Sequence, residues 1–208
     1  MSNSEILYYP NQMGRIILLS MEEVLGQKGL EGLLRQAGLE KLIDNYPPDT
    51  MELGFPFDQL SLLQDTLEQI YGPRGGRGLA LRVGRATFKH GLKIFGPKLG
   101  ITDMAFRLSP MENKLRSGAE MFADIFNRFT DQRVRVENNP DQLLWHIERC
   151  PICWNRQSDA PLCHLAVGLL QESLYWVSGG KLFKIEEIGC IANGDPTCCI
   201  RIDKQALD

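Results

Sequence analysis

All six cysteines of this 208-residue chain fall after residue 149: Cys150, Cys153, Cys163, Cys190, Cys198 and Cys199. In a reducing compartment such a cluster points to metal or redox chemistry rather than to a disulfide framework. Free cysteines also serve as small buried hydrophobes, but chance placement would leave some of them in the longer N-terminal part. The rest of the chain sets the compartment. Met1 to Gln12 is polar and mixed, without the basic-then-apolar order of a signal peptide. The longest apolar runs, such as Ile16 to Leu19, fall far short of the roughly 20 residues of a membrane span. A cytoplasmic protein is expected, and a net charge of -3 gives no reason to expect direct nucleic-acid binding.

Hydrophobic periodicity divides the chain. Residues 1–130 read as a helical part, and 131–208 as a strand-rich part of the same domain that carries the cysteines. Ile17, Met21, Val24, Leu25, Leu30, Leu33 and Leu34 recur at helical spacing, and interrupting glycines predict two short helices. Asp58 is placed to cap a helix bearing Leu60, Leu63, Leu67 and Ile70. Gly72-Pro73-Arg74-Gly75-Gly76-Arg77-Gly78 reads as a loop. It lacks the Gly-Lys-Ser/Thr ending of a phosphate-binding loop, and no clear strand precedes it. A helix is expected over Leu79 to Phe95, with Arg82, Arg85 and Lys89 on one side as candidate contacts for an anionic ligand group. A solvated helix face explains the same residues. Met111 to Phe129 carries Leu115, Ala119, Phe122 and Phe126 at helical spacing.

The period then changes from 3.6 to 2. Arg133 to Glu137 and Leu143 to Ile147 read as strands, His164 to Ser178 as an apolar helix stopped by Gly179-Gly180. Leu182 to Ala192 and Cys198 to Ile202 are expected to form a hairpin through Asn193-Gly194-Asp195-Pro196. The order of elements implies an α+β (α/β) fold with an antiparallel sheet packed on helices.

The hairpin gives the cysteines a geometry. A tight turn brings Cys190 near Cys198, because paired strands lie about 4.8 Å apart. Cys198 and Cys199 are neighbours on a strand and point to opposite faces, so only one shares a site with Cys190. Glu187 lies three residues before Cys190, and Cys163 opens the long helix, so a shell of three thiolates and one carboxylate suits zinc. Cys150-Pro151-Ile152-Cys153 is a second metal-binding element, of the kind that also serves iron–sulfur clusters. It can combine with Cys163 and one hairpin cysteine into a four-cysteine site, and spacing alone does not choose between the two arrangements.

The ordered residues Pro161-Leu162-Cys163, Gly168, Glu187-Ile188-Gly189-Cys190, Gly194-Asp195-Pro196 and Cys198 resemble the 4-vinyl reductase domain family over about Leu144 to Ile202. That family includes a protein linked to reduction of the 4-vinyl group in bacteriochlorophyll synthesis, and the sensor domains of phenol- and xylene-responsive activators. The resemblance implies a fold shared with haem–nitric-oxide-binding and transport-complex domains, a homodimer, and an apolar ligand chamber. It also implies a zinc held by Cys163, Glu187, Cys190 and Cys198, which selects Cys198 over Cys199. Cys150 and Cys153 are outside the sensor pattern and keep an iron–sulfur cluster open as the alternative.

Three functions follow as expectations. The first is a carrier or sensor of a hydrophobic small molecule, either a tetrapyrrole such as a vinyl chlorophyllide or an aromatic hydrocarbon. Phe106, Phe122, Phe126, Trp145, Tyr175 and Trp176 are candidate lining residues, although core packing explains any one of them. The second is an oxidoreductase, or a subunit of one, that reduces a tetrapyrrole vinyl group with electrons from a partner. The third is a structural interaction module.

Overall fold

The segments with period two form one antiparallel sheet. The computed structural model describes residues 5–96 and 108–207. Its main sheet comprises β3 (Val134–Asn138), β4 (Gln142–Ile147), β5 (Phe183–Gly189) and β6 (Cys198–Ala206), in the order β3-β4-β6-β5. Alternation sends Leu143, Trp145 and Ile147 to the inner face, where they stand opposite Ile202, Ile200 and Cys198 on β6. The outer face is polar, with Arg135 bridging Glu137 and Arg201 bridging Glu186. Among the described residues, a four-stranded antiparallel sheet with five helices gives the α+β architecture that the order of elements implied.

The helices cover the inner face. β1 (Tyr8–Pro10) leads into α1 (Asn11–Leu25), and α2 (Gln27–Gln36) follows after a break at Gly26. β2 (Leu53–Pro56) pairs with β1 and feeds α3 (Phe57–Phe95). The remaining helices among the described residues are α4 (Met111–Phe129) and α5 (His164–Ser178). Two local expectations are corrected. Asp58 is not a cap: Pro56 occupies that position with no side-chain cap, and Asp58 accepts a hydrogen bond from Asn155. The Gly-rich segment is not a loop either. The chain turns once at Gly72 and at once resumes helix with Pro73, whose fixed φ suits a first helical turn. Gly76 then sits where a β-carbon would lie 2.8 Å from the Glu68 α-carbon, so its lack of a side chain lets the two arms of α3 approach.

Gly72 has φ 71° and ψ 168°, a region that is essentially glycine-only. Gly72→Ala is therefore expected to destabilise the fold by about 1–3 kcal/mol, read as a lower urea midpoint with unchanged slope. A midpoint equal to the parent's would remove the strain argument.

A glycine stands on each helix where α3 crosses α5. A β-carbon on Gly84 would lie 2.7 Å from the Leu169 amide nitrogen, and one on Gly168 would lie 2.8 Å from the Leu81 carbonyl carbon. Glycine on both helices lets the two backbones meet directly. The resulting core runs from Leu18 and Met21 on α1 through Leu63 and Val83 on α3 to Leu143 and Trp145 on the sheet.

Candidate metal centre and apolar chamber

Three segments deliver the cysteines to one point. The first is the loop after β4, where Cys150 and Cys153 are buried with Ile152 between them. Its next residues clip it to α3: the Trp154 ring meets Phe57 edge-on at 5.9 Å, and its carbonyl accepts from Ser61. Arg156 reaches Asp65 at 3.1 Å and Glu68 at 2.8 Å. The second segment is the start of α5, where Cys163 stands at the helix N-terminus, the positive end of the helix dipole. The third is the β5–β6 hairpin. Its turn is closed by Asn193 and Asp195 amides on the Cys190 carbonyl, while the Asp195 carboxylate accepts the Cys190 amide at 2.8 Å. Ser158 N–H to Ala192 carbonyl joins the first segment to the third.

Two overlapping donor sets result. Cys150, Cys153, Cys163 and Cys198 form one, and Cys163, Glu187, Cys190 and Cys198 the other; within each, the ligand atoms lie within 4.8 Å of one another. The Sγ separations run from 3.3 Å (Cys153 to Cys198) through 3.4 Å (Cys150 to Cys163) and 3.6 Å (Cys163 to Cys198) to 3.9 Å (Cys190 to both). A tetrahedral zinc with bonds of about 2.3 Å spaces its sulfurs by about 3.8 Å, which the three distances among Cys163, Cys190 and Cys198 match; the two made by Cys150 and Cys153 are shorter. Glu187 takes the Cys163 amide on Oε2 at 2.7 Å and leaves Oε1 buried without a partner. A buried carboxylate oxygen needs a donor or a cation. The residues therefore fit a thiophilic cation.

The electrostatics agree with that fit. Burial, and then the charge of Cys190, push the Glu187 carboxyl up to about 8. At Cys153 the hydrogen bond with Cys150 opposes ionisation, but those from Cys163, Cys190 and Cys198 outweigh it and bring the thiol down to about 5. Cys190 is opposed by Cys153 and drawn down to about 6 by Cys163 and Cys198. Cys150 is pushed up by burial yet falls below the usual thiol range through Cys153, Cys163 and Cys198. Cys163 and Cys198 rise, first through Cys150 and then Cys153. Close packing of the sulfurs thus divides the cluster into thiols held below and thiols held above the usual range.

Cys199 lies on the opposite face of β6, half-buried, with its sulfur 3.9 Å from His146 Nε2. Burial raises its thiol, so it stays neutral and outside the centre.

Beside the centre, the helices and the inner face of the sheet line an apolar cavity of about 150 Å³. Aromatic rings surround it: Phe122 contacts Phe88, Phe126 and Trp145 at 6.0, 5.2 and 5.6 Å, and Phe88 contacts Trp176 at 6.4 Å. Of the residues expected on its wall, Phe122, Phe126, Trp145 and Trp176 are there. Tyr175 is not. It is 45% exposed, because the residue before Trp176 is turned by about 100° around a helix with 3.6 residues per turn. Phe106 lies outside the described residues. The expected anion contacts are also displaced: Arg85 donates to Gln171 and Lys89 pairs with Glu172, both on α5, and Arg82 is exposed. None of the three lines the chamber. Its one charged lining residue among those described is Lys114 on α4, which the sequence gave no reason to single out. Phe88 and the Tyr9–Gln132 pair were also missed; Phe88 stood on an apolar helical stripe, which core packing explains equally well.

No protein-family model matches the chain, and no curated protein matches it in sequence. Solved structures match it in fold. An Fe(II) unliganded H-NOX protein from K. algicida superposes with a TM-score of 0.59 at 14% identity, over 94% of this chain and 96% of that one. An H-NOX protein from S. oneidensis in the Fe(II)NO ligation state gives 0.57 at 14%, over 93% and 98%. A Cs H-NOX mutant gives 0.61 at 14%, over 96% and 97%. The chain has the H-NOX fold, and the likeness extends to nothing finer at these identities.

The chamber does not fit a haem held by histidine. His90, His146 and His164 are the chain's three histidines, and none lines it. Tyr9 lines it, but burial pushes its hydroxyl well above the usual range, and the hydroxyl bonds to Gln132. A neutral, bonded phenol is a poor iron ligand. Among the described residues no helix is long and apolar enough to cross a membrane.

Proposed function

We propose that the protein is a 4-vinyl-reductase-type binding domain that carries or senses a small aromatic molecule, with a zinc centre bracing its C-terminal hairpin. The apolar chamber carries this reading. A dry cavity of about 150 Å³ lined by apolar side chains accepts benzene in another protein, and the chamber here has a comparable volume. That size favours a single-ring aromatic over a tetrapyrrole. The wall supplies π-faces from Phe88, Phe122, Phe126, Trp145 and Trp176, which bind an aromatic guest edge-on or offset. The hydroxyl of Tyr9 offers one polar contact at the wall.

The metal reading rests on the convergence of Cys163, Glu187, Cys190 and Cys198 and on the unpartnered Glu187 oxygen. A shell filled by protein ligands keeps no open position for substrate, so the metal's role is to hold the hairpin against the start of α5 and the wall beside it.

Titration with phenol, toluene and a divinyl chlorophyllide tests the ligand class, with Trp145 and Trp176 as reporters. The single-ring compounds are expected to change tryptophan fluorescence saturably, and Phe122→Ala to weaken them about tenfold, as loss of an aromatic contact of ~1.5 kcal/mol implies. Saturation by the chlorophyllide alone would replace the ligand class; no response to any of the three would end the binding reading.

A further inference from the structure

The centre has more donors than one tetrahedral ion uses. Five cysteines and Glu187 converge, and the two donor sets share only Cys163 and Cys198. An ion in the all-cysteine set leaves the Glu187 carboxylate buried beside it, with one oxygen already unpartnered. An ion in the mixed set leaves Cys150 and Cys153 as free thiols. Free buried thiols are cheap, but these two aim their sulfurs at 3.4 and 3.3 Å from Cys163 and Cys198, two sulfurs that ion would already hold.

We propose that the centre holds two divalent thiophilic cations of the zinc class, bridged by the thiolates of Cys163 and Cys198. This rests on the metal-binding reading above. One ion takes Cys150 and Cys153 as its terminal ligands, and the other takes Glu187 and Cys190. Each ion is four-coordinate, and the two tetrahedra share the 3.6 Å edge between the Cys163 and Cys198 sulfurs. That edge is close to the roughly 3.8 Å spacing of sulfurs on one zinc. Charge favours the pair as well. With all six donors ionised the site carries -6; one divalent ion reduces this to -4 and two reduce it to -2. Part of the remainder is offset at the two bridging positions themselves. Cys163 stands at the N-terminus of α5, and the Cys198 sulfur accepts the Ile191 amide at 3.3 Å.

The test is metal stoichiometry with a ligand-sensitive spectrum. The full chain is loaded with cadmium-113, dialysed, and examined by elemental analysis and cadmium NMR. Two equivalents and two resonances that split each other through shared sulfur are expected. One equivalent, or two resonances without mutual coupling, overturns the bridged pair and leaves a single-ion site standing. No retained metal overturns the pair and the metal reading together. The C150S/C153S and E187Q/C190S double variants are each expected to fall from two equivalents to one, keeping the opposite ion. Either variant retaining two equivalents overturns the assignment, as does either retaining none while circular dichroism shows a folded chain.

Discussion

Gly168→Ala is expected to destabilise the domain by about 3 kcal/mol, a fall in midpoint of roughly 6–12 °C for a chain of this length. The added carbon would meet the backbone of Leu81, and the matching change at Gly84 would meet the backbone of Leu165 and Leu169. Backbone atoms cannot turn aside as a side chain can, so the only relief is to separate α3 from α5. That separation also opens the chamber, because Phe88 and Trp176 on its wall belong to these two helices. The two substitutions are expected to be less than additive, since a crossing already widened by one accommodates the other more cheaply. Gly32→Ala provides the contrast. It lies in α2 with open space around a β-carbon, and there alanine is expected to stabilise by about 0.5–1 kcal/mol. Urea unfolding of the three single variants and the G84A/G168A pair checks this. A Gly168→Ala midpoint no lower than that of Gly32→Ala would refute the close crossing.

Stripping the metal is expected to have the other large effect. A cation present at about a thousand times its dissociation constant stabilises the folded chain by about 4 kcal/mol, or roughly 8–16 °C at this size. Treatment with a strong chelator under reducing conditions should therefore lower the melting midpoint by that amount. Loss of protection should concentrate in the loop carrying Cys150 and Cys153 and in the β5–β6 hairpin. Hydrogen exchange resolves those segments from the helical core, which has its own buried side chains on α1 and α3. Cys163→Ala is expected to melt like the stripped protein and to be insensitive to chelator, because Cys163 belongs to both donor sets. Cys199→Ala, on the far face of β6, should behave like the parent. A chelator-resistant midpoint in a metal-loaded parent would show that the centre does not support the fold.

The two halves of the chain differed in how far they could be read in advance. The helices over Met111–Phe129 and His164–Ser178 and the hairpin around Asn193 to Pro196 are legible because their signals are local. Apolar period, a stopping glycine and a turn sequence all act between neighbours. The segment after Gly72 was misread for the opposite reason. Its glycines look like loop formers in isolation, but Gly76 is helical because it lies against Glu68 of the preceding arm. The short β1–β2 pair went unread, since three- and four-residue strands carry little pattern of their own.

The candidate site divides in the same way. Local spacing was enough to group Glu187 and Cys190 with one of Cys198 and Cys199 and to name zinc as a suitable ion, while the family resemblance selected Cys198. Spacing left the role of Cys150 and Cys153 open, because a loop of sixteen residues' reach, on the order of 50 Å when extended, constrains no distance. Folding brings their sulfurs to the same two cysteines that the hairpin uses. The chamber is a further step removed. Phe122, Trp145 and Trp176 could be picked as large apolar residues, but the space between them, its volume, and the turn of Arg85 and Lys89 toward α5 depend on how helices and sheet pack. Periodicity tells a side chain which face of its own element it occupies. Only contact between elements distant in sequence sets what that face meets, and here it sets an apolar chamber beside a cluster of five cysteines and a carboxylate.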